Sequence, residues 1–405
     1  MRYTSVPKGE RYSPLYFLSS LGAGGLSVSF FMYLMWMTPH KGQPIPSYST
    51  LVPAFVDGTP AMQALIALST LAIAYFAVTH LRALAWNITQ YKAWKRTPAY
   101  AAFIKTNAES QLMAIPLTLA MTVNALFILG AVFVPGLWEI AEYLFPAAIA
   151  AFAVIGWFAF RIFLDFFGRR LVEGGFTCAK NNSFGQMLAV FAFAMIGVGF
   201  SASAAMAHNK VTIVVAFMAS ALFIMAALVL GAIMLVMGFR AMMENAAEKE
   251  TSPTLWIIIP FITVVGIALY RLNMALAHNF GVEWQPGSVF AFLAFLFSIQ
   301  LVFGLLGWAV MKRFGYFGHF VSGPQKSPGS FALICPGVAL FVFANFLIHP
   351  GLVGIGVLEK FSVAYFVLYV PLVALQLKTI QVYFRLNAKL LSDDRPATGG
   401  LVAAE

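Results

Sequence analysis

The sequence predicts an all-α polytopic membrane protein: ten transmembrane helices as five helical hairpins, with the odd helices forming an inner ring around a central pore. Three observations predict it: the composition, ten apolar runs of spanning length, and a difference in kind between odd and even runs. Hydrophobic residues make up 61% of the chain and charged residues 10%, against about 25% charged in a soluble domain. The mean hydropathy is +0.84. A net charge of +10 does not point to nucleic acid, because the basic residues are scattered among short loops between apolar runs.

An apolar run of about 20 residues crosses the ~30 Å hydrocarbon core as a helix. Such runs have cores near 15–37, 61–81, 111–134, 142–164, 184–207, 211–239, 255–277, 288–311, 330–348 and 361–383. The first follows Lys8 and Arg11 as a signal peptide would. It is too long for an h-region and has no small-residue cleavage site, so it counts as a span. Residues 1–14 then form a cytoplasmic N-terminus, 15–391 the ten-helix transmembrane domain and 392–405 a disordered cytoplasmic tail. The stretch 40–60 is a Pro-rich cap on the outer side.

Orientation follows from Lys and Arg, which are retained on the cytoplasmic side of span ends. Segments 1–14, 82–109, 161–183, 240–253, 312–327 and 378–405 hold 21 of the 25 basic residues, leaving Lys41, Lys210, Arg271 and Lys360. Both termini are therefore expected in the cytoplasm, as an even number of spans requires. Cys178 and Cys335 are too few for a disulfide framework or a thiolate metal site.

The odd spans start near 15, 111, 184, 255 and 330, at similar separations, which gives the five hairpins. Spans three, seven and nine carry Pro116, Pro260 and Pro336, while span one has Gly22, Gly24 and Gly25. The even spans read as plainer apolar helices. A proline frees a carbonyl and bends a spanning helix, and this is tolerated where neighbours, hydroxyls or a water-lined cavity satisfy the freed group. Pro116, Pro260 and Pro336 are thus candidate kinks of pore-lining helices. Pro and Gly are also frequent in membrane helices generally, where small residues mark close packing.

Ten spans in five hairpins, with "SPTLWIIIPFITVVGI" (252–267) and "SFALICPGVALFVF" (330–343) opening alternate spans, resemble the slow-type anion channels of plant guard cells and the bacterial tellurite-resistance and dicarboxylate transporters. The likeness covers nearly the whole chain by architecture, and its motifs lie mainly in spans seven and nine. The resemblance implies an anion pore lined by the odd helices, a phenylalanine plug, a homotrimer and a bacterial-type inner (plasma) membrane. The family's gating phenylalanine falls on Cys335 here, and the proline common in the first span of relatives is missing.

Phe193, Phe261, Phe341 and Phe343 lie on odd spans near the presumed middle and, with Cys335, are the pore or gate candidates. In a chain with 40 phenylalanines, each taken singly reads as a packing residue. Together they suit a pore closed by sterics and dewetting. Arg271 is well inside an odd span, where a charge costs at least ~2.5 kcal/mol. It reads either as an anion-attracting residue or as one that snorkels, being roughly 10 Å along the helix from His278. Asn124 and Asn273 are neutral donors for the same lining or bonds between helices. The span interiors carry almost no acids, which suits an anion.

His40, His208, His278 and His349 end four of the five odd spans and read as interface residents, or as groups that charge an outer vestibule. No metal-ligand spacing, nucleophile with a base, phosphate loop or paired carboxylates appears, so no enzyme activity, metal or cofactor is expected. The expected function is a membrane channel or transporter for small anions (inorganic oxyanion, halide or carboxylate), with the lipid bilayer and a small anion as partners. The alternative is a quinone-interacting membrane anchor of a respiratory oxidoreductase.

Overall fold

The computed structural model describes residues 8–174, 176–177 and 181–391. Cys178, residues 1–7 and the expected tail 392–405 lie outside the described residues. The protein is all-α. Ten helices among the described residues are long and apolar enough to cross a membrane: Pro14–Met37, Pro60–Trp94, Asn107–Phe133, Leu137–Glu173, Met187–Met206, Lys210–Asn245, Ser252–Phe280, Pro286–Arg313, Pro328–Val353 and Val363–Leu391. They are called spans one to ten below. The end at which odd spans begin carries most of the cations and is called the basic end.

Burial sorts the helices by parity. Between 61% and 94% of the central window is buried in each odd span, against 17% to 33% in each even one. Span one packs on three, three on five, five on seven and seven on nine, and span nine packs again on span one. Each even span packs on the odd span before it. Spans two, four and six run to 35, 37 and 36 residues. At 1.5 Å per residue that exceeds 50 Å, so these helices continue past the ~30 Å hydrocarbon core.

Close approach of the inner helices depends on small residues, as expected where van der Waals packing drives association in lipid. A Cβ on Gly22 would fall 2.9 Å from Ile334 Cγ2, and one on Gly25 would fall 3.2 Å from Val338 Cγ1. Gly22 and Gly25, one turn apart, let span one lie flat on span nine. Gly197 does the same for spans five and six, where a Cβ would meet Ile224 at 2.8 Å.

The prolines are placed differently from mid-helix kinks. Spans one, three, seven and nine open as 3-10 turns, Pro14–Tyr16, Asn107–Met113, Ser252–Ile257 and Pro328–Leu333, and then become α-helical. Pro116, Pro260 and Pro336 each stand third in the α-helical part, which begins at Ala114, Ile258 and Ile334. In 3-10 geometry residue i donates to i−3, and in α geometry to i−4. At the change from one to the other, one donor becomes surplus, since two successive N–H groups would address the same carbonyl. The N-cap carbonyl takes the first α bond from the residue just after the proline, so the missing N–H is the surplus one. Proline costs these helices no hydrogen bond.

Among the spans, prolines inside α-helical stretches occur instead in even ones, Pro146 in span four and Pro371 in span ten, while Pro350 stands in the π-helical turn that ends span nine. The expectation of plainer even helices is therefore corrected. The stretch 40–60 contains a short helix, Tyr48–Val56, started by a capping box in which Ser47 and Thr50 each satisfy the other's backbone.

Candidate functional site

Two cavities lie along the bundle. The first encloses about 190 Å³ and is lined from every odd span, by Val28, Asn124, Met195, Arg271 and Val342 among others. Span four adds Phe145 and Phe152, and the loop after span one adds Ile45. The second, about 260 Å³, lies at the basic end and is more polar, with Asn107, Gln111, Gln186, Thr254 and Ser327 in its wall. Glu248 and Glu250 belong to this second cavity and are exposed. Three residues line both cavities: Phe191 of span five, Pro260 of span seven and Cys335 of span nine.

Arg271 faces the first cavity from span seven. Its Nη1 donates to the carbonyl of Val198, at 3.3 Å. The ion pairs found among the described residues, Arg169 with Glu109 and Arg240 with Glu244, do not involve it. No carboxylate lines this cavity among the described residues. The guanidinium thus holds a full charge in an apolar chamber, with most of its five N–H donors uncommitted to protein. Asn124 also lines the cavity, its amide nitrogen 3.8 Å from Met195 Sδ. Asn273 does not, and its amide donates to Leu269 O one turn back in its own helix. Thr263 is committed, donating to Ile259 O or Ala339 O and accepting from Gln300 Nε2.

The phenylalanines singled out in the sequence occupy packing positions. Phe193 is fully buried among Phe160, Phe163 and Phe223 of spans four and six. Phe261 points at span six, its ring 3.4 Å from where a Cβ on Gly231 would lie. Phe341 stacks obliquely on Tyr33, with centroids 5.5 Å apart, and Phe343 lies over Gly266. Of the pore and gate candidates, Cys335 lines the cavities. Of the three prolines, Pro260 does so, while Pro116 and Pro336 are buried in helix contacts.

Phe191 is the aromatic residue at the junction that sequence reasoning missed. It is two residues from Phe193, about 200° around the helix, so "VFAFAM" offers both faces equally. The signal was the stripe Phe191, Met195, Val198, Ala202 and Met206, spaced by three or four residues, all of which line the first cavity. Phe152 was missed because it belongs to an even span. It reaches the cavity over Gly199, where a side chain on span five would block it.

The histidines divide. His208 and His278 are exposed at span ends. His40 is half-buried, and burial, with Lys360 nearby, holds its imidazole below the usual range. His349 is not exposed at the end of its span. It is buried in a π-helical turn, Leu347–Val353, stacked on Trp36 with centroids 5.0 Å apart. Its Nε2 lies 3.0 Å from Tyr369 Oη and 3.2 Å from Tyr365 Oη, and Tyr369 donates to Asn345 Oδ1. His80, inside span two, is also buried and joins spans one and three through Ser20 and Thr122. Trapped polar side chains of this kind need such partners.

In comparisons with known proteins, the chain matches no family model and no curated protein.

Proposed function

We propose that this protein conducts small anions across a membrane, through a passage along the axis of a ring made by its five odd spans, and that it is a relative of the slow-type anion channels and tellurite-resistance and dicarboxylate transporters. The observation that carries the reading is Arg271, a cation with no carboxylate partner among the described residues, in a chamber walled by all five odd spans. Such a charge is costly in a membrane unless an anion or water compensates it. A chamber with a guanidinium and no carboxylate among the described residues repels cations.

In this reading the two cavities are the outer and inner vestibules, and Phe191, Pro260 and Cys335 form the throat between them. Phe191 is the aromatic gate. A ring of this size across a narrow apolar throat closes it by sterics and by excluding water, and a change of rotamer opens it. The basic end faces the cytoplasm, in keeping with the distribution of Lys and Arg. Trimeric assembly rests on the family resemblance.

Reversal potentials of the purified protein in planar bilayers test the reading. Under a salt gradient the potential should follow the anion, and Arg271→Ala should cut the anion current about tenfold or more, the loss expected for one charge-assisted contact. A potential that follows the cation would overturn the proposal.

A further inference from the structure

The class of anion can be read from the balance of charge and hydrocarbon around Arg271, an argument that rests on the anion reading above. We infer that the outer cavity is a binding site for short-chain aliphatic monocarboxylates. Arg271 is its one ionised lining residue among the described residues, and the other side chains are mainly Val, Ile, Leu, Met and Phe. Pockets for small organic molecules have this character, apolar walls with a few placed polar groups that fix orientation.

Three kinds of anion fit this chamber unequally. A halide fills little of it, since a cavity of about 190 Å³ has room for several water molecules. It would exchange its hydration shell for one guanidinium, the Asn124 amide and a largely hydrocarbon wall. A dicarboxylate brings two charges and finds one cation, so its second carboxylate would be buried unpaired. An alkyl monocarboxylate matches on both counts. Its planar carboxylate accepts the two parallel N–H groups of the guanidinium fork, and its chain covers apolar wall.

The geometry also sets the pose. Val264, Ile267 and Arg271 follow one another at spacings of three and four residues, so they lie on one face of span seven and all line the cavity. Pro260, at the throat, precedes Arg271 by 11 residues, about 16 Å along the helix. With the carboxylate on Arg271, the alkyl chain lies along Ile267 and Val264 and points at Phe191. Head and tail are thus recognised by one helix.

Bi-ionic reversal potentials with the full-length protein in planar bilayers test this, because they register the charged form alone and ignore neutral acid that crosses the lipid by itself. Butyrate should be preferred by about tenfold or more over succinate, which leaves one charge unpaired in an apolar site, and over chloride, whose lost hydration the site replaces poorly. Arg271→Lys, which keeps the charge but lacks the fork, should retain anion selectivity and lose most of the preference for butyrate. Val264→Phe should abolish hexanoate current while sparing acetate, a split by chain length that a folding defect would not produce. In detergent, butyrate should raise the unfolding temperature of the wild-type protein and succinate should not. Anion currents with chloride or succinate equal to butyrate would overturn this inference and leave the anion reading standing. Absence of any anion current would overturn both.

Discussion

The ring of Phe152 lies against Gly199 so closely that a Cβ on the glycine would fall 2.2 Å from two of its carbons. Span four thus reaches the outer cavity across the backbone of span five. Gly199→Ala must push this ring aside, at a cost of roughly 1–3 kcal/mol for an overpacked site. The variant is expected to unfold at a lower temperature in detergent and to pass less anion current. Adding Phe152→Leu should restore both, and a single variant indistinguishable from wild type would contradict the contact.

Phe191 and Phe193 separate gating from packing. Phe191→Ala removes the aromatic ring shared by the two cavities, so current at fixed voltage should rise severalfold. Phe193→Ala empties a site packed by three other rings, and should cost about 3–5 kcal/mol of stability without raising the current. Single-channel recording together with thermal unfolding distinguishes the two.

The cluster around His349 predicts an unequal pair of effects. Tyr369→Phe strips Asn345 Oδ1 of its donor and leaves His349 short of a partner, at a cost of about 1–3 kcal/mol for buried groups left unsatisfied. Tyr365→Phe removes the longer contact, 3.2 Å to His349 Nε2, and a hydroxyl contact with Tyr369, but leaves Asn345 its donor, and should cost less. Thermal unfolding of the two variants side by side checks the order, and the reverse order would refute it.

Pro260→Ala and Pro336→Ala test where the prolines act. If each proline supplies the surplus donor's absence at the change from 3-10 to α geometry, alanine there changes stability by less than about 1 kcal/mol, far below the ~3 kcal/mol of a helix-interior proline. A large shift in unfolding temperature would mean that the prolines bend the helices instead.

The ten spans were legible because lipid demands an unbroken apolar run, and that demand is written locally. Their lengths were less so. Span two was expected to end near 81 and runs to Trp94, because hydropathy reports the hydrocarbon crossing, whereas the helix continues as an amphipathic rod with Asn87 and Gln90 turned to Tyr12 and Lys8. Arg271 stood out in the sequence because an isolated charge in an apolar run is conspicuous. The throat did not. Phe191 resembles Phe193 in every local respect, and only the packing of spans four and six against one face of span five decides which ring faces the cavity. The burial of His349 was hidden for a similar reason, since its partners Trp36, Tyr365 and Tyr369 come from spans one and ten.

The bond between Gln376 Nε2 and Ser29 Oγ joins residues 347 positions apart. At about 5–20 residues per second of synthesis, Ser29 waits roughly 20–70 s for its acceptor role to be filled. Its own hydrogen is spent meanwhile on Leu26 O, within the same helix. Tyr33, one turn further along span one, donates to Oε1 of the same amide, so both ends of the Gln376 side chain tie the final span to the first, and that seam closes only after the last helix has been made.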